Sequence, residues 1–221
     1  MDEATSCPRA ASQNRARIRS LIAAGALALS AVVASAHGSD SSGGTGGGTS
    51  TTFGCPDAGL GQRILKLGDC GTDVKTLNWI LSAKDFGRPP LAETFEDATA
   101  AAVEALQISA ALAPDGVADA ETTAALVNSM PLQVATWYGP GFFGNETACG
   151  KVLTRRTRGV AHRKLPCGTR VVVRYGGHYV LTRVIDRGPF SNQAKWDLTQ
   201  ATAERLGFTY TDEVRVAKLR R

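Results

Sequence analysis

Asp186 and Asp197, eleven residues apart, are the residues of this chain best suited to chemistry. A β-rich run from Tyr179 to Ile185 ends in Asp186, and Gly188-Pro189 then turns the chain away. A carboxylate at such a strand mouth can meet a solute instead of being sealed in a core. Asp197 follows within Trp196-Asp197-Leu198-Thr199. Two carboxyl groups at strand ends in one small domain suit general acid/base cleavage of a glycosidic bond. The same residues admit a structural reading, in which Asp186 caps the turn and Asp197 tethers the next helix.

The elements that must position them are short. Arg170 to Arg174 and Tyr179 to Ile185 flank Gly176-Gly177, a hairpin signal. Val134 to Tyr138 and Glu213 to Leu219 read as further strands. Thr199 suits the N-cap of a helix from Gln200 to Leu206, and Gly207 suits its end. From about Pro131 onward this pattern predicts a small β-barrel. Residues 61–129 read as helical instead. Val74, Leu77 and Leu81 recur at helical spacing, Ala102, Val103, Leu106 and Gln107 continue a face within 95–112, and a third helix covers 120–127. These predict a small three-helix bundle.

The first 36 residues predict an export signal. Arg15, Arg17 and Arg19 precede an apolar run from Leu21 to Val33 and then Ala34-Ser35-Ala36, which predicts cleavage before His37. The run is short for a membrane span. An uncleaved signal anchor is the rival reading; after cleavage no stable membrane insertion is expected. Residues 37–58, almost all Gly, Ser and Thr as far as Thr52, read as a flexible linker. Cys55, Cys70, Cys149 and Cys167 lie beyond the signal, an even number suited to an oxidising compartment. Four cysteines admit three pairings, and their distribution favours Cys55 with Cys70 and Cys149 with Cys167. No C-x-x-C spacing occurs, and no metal or organic cofactor is expected. The formal net charge is +5, and +3 without residues 1–36. That mild excess is compatible with anionic wall polymers. It lacks the basic, aromatic-interleaved stripe of nucleic-acid binding.

Two stretches resemble known families. Leu67-Gly68-Asp69-Cys70-Gly71-Thr72-Asp73-Val74, then Leu77, Ala102-Val103, Leu106-Gln107, Asp115-Gly116-Val117, Thr122 and Ala125-Leu126, are similar to the PG_binding_1 type of peptidoglycan-binding domain. Asn78 stands where that family usually has Gln, and Arg88-Pro89-Pro90 fills a loop that usually supplies Gly and Tyr. Ala135-Thr136-Trp137-Tyr138-Gly139, Thr147-Ala148-Cys149-Gly150, the run Ala161 to Thr169, and Asp186-Arg187-Gly188-Pro189-Phe190 with Asp197-Leu198-Thr199 closely resemble the rare lipoprotein A family. The implied fold class is multidomain α plus β. An export signal (1–36) and linker (37–58) precede a helical peptidoglycan-binding-like domain (59–130), and a six-stranded double-psi β-barrel (131–221) follows.

The second resemblance implies a secreted, cell-wall-associated lytic transglycosylase. It would act as a monomer on peptidoglycan glycan strands, cleave the MurNAc–GlcNAc β-1,4 bond and leave 1,6-anhydro ends. Asp186 is then the catalytic acid; burial against Val184 and Ile185 would raise its pKa, and Arg187 would oppose that. His162 matches a histidine near the site and donates to sugar or to Asp186, or is structural. Asp197 gives polar support or tethers the helix. Trp137, Tyr138, Thr147 and Arg187 are the implied substrate contacts, with one of the two aromatics in the core as the alternative. Cys149 and Cys167 replace non-cysteine residues on two loops beside the site, which a disulfide would fasten. Active members usually carry Glu directly after the Gly of Thr-Ala-x-Gly. Here that residue is Lys151, and Glu146, though near, sits at a different position. That departure supports the alternative of a non-catalytic, expansin-like wall-binding or wall-loosening protein.

Overall fold

The computed structural model describes residues 54–190 and 193–220. The predicted signal and most of the predicted linker lie outside them. Three helices come first: α1 (Thr72–Ala83), α2 (Asp97–Ser109) and α3 (Ala120–Ser129). Each start has a local cause. Gly71 precedes α1 at φ 146°, where a Cβ would stand 2.6 Å from the Pro56 carbonyl oxygen. Glu96 and Thr99 form a reciprocal capping box on α2, and the Asp119 carboxylate accepts from the Thr122 N–H on α3. Asn78 is fully buried. Its amide donates to the Ala92 and Thr94 carbonyls, and its oxygen accepts from the Thr99 hydroxyl. The shorter Asn in place of the family's Gln therefore fills a structural role. Residues 54–58, placed in the linker by the sequence, are fastened to this helical part. Cys55 is bonded to Cys70, and the Thr72 hydroxyl donates to Asp57.

The second part is a closed barrel. Its strands are β1 (Leu132–Tyr138), β2 (Val160–Ala161), β3 (Arg170–Tyr175), β4 (His178–Asp186), β5 (Trp196–Thr199) and β6 (Asp212–Lys218), ordered β1-β5-β2-β4-β3-β6. The β3–β4 hairpin turns at Gly176-Gly177, with Tyr175 opposite His178. Helix α4 (Gln200–Leu206) ends at Gly207, which is left-handed at φ 68°. Thr199 stands at the N-cap position of α4, yet its hydroxyl makes no cap bond. It is drawn instead to Gly159 and Thr202. Gly159 comes so close to Ile185 that any Cβ there would overlap it.

The cores follow from strand alternation. Val171 and Val173 of β3 point into the barrel with Val160, Val184, Leu198 and Val214. Val172, between them, packs outward with Ala217 and Leu219 against Leu77, Leu81 and Met130 of the helical part. Both faces of β3 are covered, so three consecutive valines are all buried. Arg215 of β6 donates to the Met130 carbonyl at 2.8 Å across the same junction.

Candidate active site

Strand β2 lies between β4 and β5, and its Ala161 pairs in register with Asp186 on one side and Asp197 on the other. Both aspartates, with Tyr138 and Ala161, line one pocket of about 170 Å³. Strand β1, parallel to β5, supplies the hydroxyls. Thr136 donates to Asp197 at 2.8 Å, and Tyr138, two residues on, donates to Asp186 at 3.2 Å.

The two carboxyl groups sit in different surroundings. Asp186 accepts from the Ala148 N–H at 2.9 Å, its neighbour Arg187 N–H at 2.8 Å, and Tyr138. All three partners donate to it and fix its orientation. Asp197 has only the Thr136 hydroxyl as a side-chain partner among the described residues. Burial pushes its pKa above the usual carboxylate range, the Asp186 charge adds to the rise, and the Thr136 bond opposes it. Tyr138 stays protonated, because burial and the nearby Asp186 charge push its phenol well up.

Residues 133–218 match the family model described as "Lytic transglycolase", and residues 70–126 match that of "Putative peptidoglycan binding domain". A Synechocystis protein named probable endolytic peptidoglycan transglycosylase RlpA is 41% identical over 86 residues, which cover 38% of this chain and 27% of that protein. An Aquifex aeolicus protein of the same name is 40% identical over 75 residues, 33% of each chain. The barrel is a rare lipoprotein A-like domain. A peptidoglycan-binding-type domain precedes it. The chain spans roughly a quarter to a third of the length of these curated relatives. Among solved structures, a Streptomyces papain inhibitor is similar at 20% identity and TM-score 0.33, over 41% of this chain and 94% of that one.

Of the expected site residues of the rare lipoprotein A-like barrel, one turns its side chain elsewhere. His162 does not turn its ring to Asp186. Only its backbone N–H does so, donating to the Asp186 carbonyl. The imidazole packs against Trp196 with centroids 4.5 Å apart and the rings tilted by 54°, and Nδ1 accepts from the Lys164 and Leu165 N–H groups. Burial first, then the charges of Lys195, Arg163 and Arg187, lower its pKa, so it is neutral at neutral pH. The Arg187 guanidinium lines the pocket but braces a loop: it donates to the Leu165 carbonyl at 2.9 Å and reaches Cys167 Sγ. Thr147 lines the same pocket, and its hydroxyl accepts from the Lys151 N–H.

Trp137 is no core residue. It is 38% exposed, donates its indole N–H to the Thr209 carbonyl, and lines a second pocket with Phe190, Tyr210 and Asp197. Cys149 is bonded to Cys167, which ties the loop carrying Ala148 to the one following His162. Sequence reasoning passed over Phe142 and Tyr210 and quoted Phe190 only as part of a motif; all three are exposed and line these pockets. It left Glu146 without a role, yet Glu146 lines the same pocket as Asp186 and Asp197, whereas Lys151 lines a separate groove.

Proposed function

We propose that this chain is an extracytoplasmic, cell-wall-associated lytic transglycosylase. It would cleave the MurNAc–GlcNAc β-1,4 bond of peptidoglycan and leave 1,6-anhydro-MurNAc ends. The observation that carries the reading is the meeting of Asp186 and Asp197, in unlike surroundings, in one pocket of a rare lipoprotein A-like barrel. Curated relatives of that barrel are named endolytic peptidoglycan transglycosylases. The peptidoglycan-binding-type domain supports the same substrate, holding the barrel at high local concentration on the wall. The disulfides suit an oxidising, extracytoplasmic site.

A pair of carboxyl groups with separated environments divides the acid and acceptor roles. Burial favours the protonated form of Asp197, and this reading therefore gives it the acid role first expected of Asp186. In this reading Asp197 protonates the glycosidic oxygen and the C1–O bond breaks, releasing the GlcNAc hydroxyl. Asp186, fixed by its three donors, steadies the positive charge on the muramic ring. The C6 hydroxyl of the same sugar closes on C1 and returns its proton to Asp197. No water is consumed, and the enzyme ends as it began.

One observation favours a non-catalytic, wall-loosening protein instead: Lys151 occupies the position of the family's Glu and lines a different groove. Mass spectrometry after incubating the oxidised protein with sacculi and with stripped glycan strands decides between them. Anhydro-muramic ends that vanish in Asp197→Asn support the transglycosylase. Reducing ends mean hydrolysis, and bound protein without soluble products means wall loosening.

A further inference from the structure

A groove of about 620 Å³ beside the carboxylate pocket carries four cations: Lys151, Arg158, Arg170 and Arg183. No acid lines it. The side-chain ion pairs among the described residues use Arg63, Lys75 and Arg220, and none of these four. Arg170 and Arg183 stand directly opposite one another in the antiparallel β3–β4 pair. Like charges so placed destabilise a sheet. Arg183 offers no relief beyond a 3.4 Å bond to the Gly168 carbonyl. Cations collected at a cost to the fold, with no acid among them, mark a seat for an anion. Guanidinium forks match carboxylate geometry in particular.

We propose that this groove binds carboxylates carried by the same glycan strand that enters the Asp186–Asp197 pocket. Among the described residues none lines both sites, but they adjoin: Thr147 of the pocket exchanges hydrogen bonds with the backbone of Lys151 of the groove. Ile185 lines the groove and precedes Asp186, while Val152 lines the groove and Leu153 the pocket. Arg183 and Ile185 leave the outer face of β4 and Asp186 the inner face at the strand's end, so a glycan strand that reaches both passes over that end. The carboxylates have two possible sources. Stripped strands carry free lactyl groups on each muramic sugar, and unstripped strands carry stem-peptide carboxylates. The inference rests on the peptidoglycan reading for its ligand but not on turnover.

Titration calorimetry on the full oxidised chain tests it. The ligands are a stripped GlcNAc–MurNAc oligosaccharide, the same compound with its carboxylates converted to neutral amides, the stem-peptide-bearing oligosaccharide, and polyglycerol phosphate. The acid form is expected to bind about tenfold tighter than the amide, the scale of one charge-assisted contact. The exposed double variant Arg158→Gln, Arg183→Gln should bring the two within about twofold while binding the neutral amide as before; that last result excludes misfolding. Arg183→Lys should retain most of the preference. Whichever of the stripped and peptide-bearing strands binds tighter names the source of the carboxylates. Equal binding of acid and amide by the native protein overturns the proposal, as does a preference that survives the double variant. Tighter binding of polyglycerol phosphate than of either acid glycan also overturns it, in favour of a phosphodiester polymer. Mass spectrometry of the recovered ligand reads cleavage separately, so a protein that binds without cutting would leave the groove standing and remove the transglycosylase.

Discussion

Asp186 and Asp197 share a single register partner, Ala161, and so face one another across the width of one strand. Two interstrand spacings separate their backbones by about 10 Å. Across that gap Asp197 feels the Asp186 charge. Function and stability should therefore diverge at these positions.

Asp197→Asn should lower turnover about 10²- to 10⁴-fold, the span of general acid catalysis. Its effect on stability should have the opposite sign. A carboxyl whose folded pKa is raised favours folding when protonated and disfavours it as pH rises through the folded value. Melting temperatures at pH 4 and pH 8 should show Asp197→Asn gaining on the native protein at the higher pH. A variant that melts lower at both would mean that the carboxyl is structural.

Asp186→Asn should abolish most cleavage and also shift its neighbour. Without the Asp186 charge the pKa of Asp197 falls. The alkaline limb of the residual activity should then move to lower pH. Carboxyl NMR titration of Asp197 checks the same shift without turnover, and an unmoved resonance would break the coupling.

His162→Asn should leave the pH–rate profile unchanged, since the ring packs on Trp196 and not on the carboxylates. Its folded pKa is lowered, so the unfolded chain takes up more protons there as pH drops. The native protein's stability should fall between pH 7 and pH 5, and the variant should lose less over that interval. Chemical denaturation across the range reads this directly; loss of an acidic limb from the activity profile would restore His162 to the mechanism.

The helices were the most legible part of the chain. Leu77, Leu81, Ala102 and Leu106 repeat at helical spacing, and the apolar face so read is the buried one. The β3–β4 hairpin was equally plain from Gly176-Gly177. Strands β2 and β5 were not, because two residues and four residues carry too little alternation to register. Asp186 could be found from its strand-end context and Asp197 from the motif it forms with Leu198 and Thr199, but their unlike surroundings could not. Those depend on Ala148 and Thr136, which lie 38 and 61 residues from the carboxylates they hold. The direction of His162 depends on Trp196, and the sides taken by Glu146 and Lys151 depend on the bridge between Glu146 and Val152. No local pattern encodes such contacts.

Removing the Cys149–Cys167 bond by a double Ser substitution should cost activity beyond its cost in stability. The Ala148 N–H that donates to Asp186 sits beside Cys149 in the tied loop. Chain entropy for a loop of this size gives about 3 kcal/mol. The matching Cys55–Cys70 substitution should destabilise the helical part and leave the turnover of folded protein intact. Cleavage and melting assays on both pairs test this; equal activity losses would place the effect in global folding alone.

Val172, flanked by Val171 and Val173, has a consequence for how such a protein can be assembled from parts. Along the sequence, the helical and barrel regions look like interchangeable cassettes. In the folded chain, Val172, Ala217 and Leu219 lie on the outside of the barrel and are covered by the helices. A recombination event that moved the barrel alone would leave that patch bare and adhesive. The barrel could change hosts only by taking a matching cover with it, or by first acquiring polar residues at those three positions.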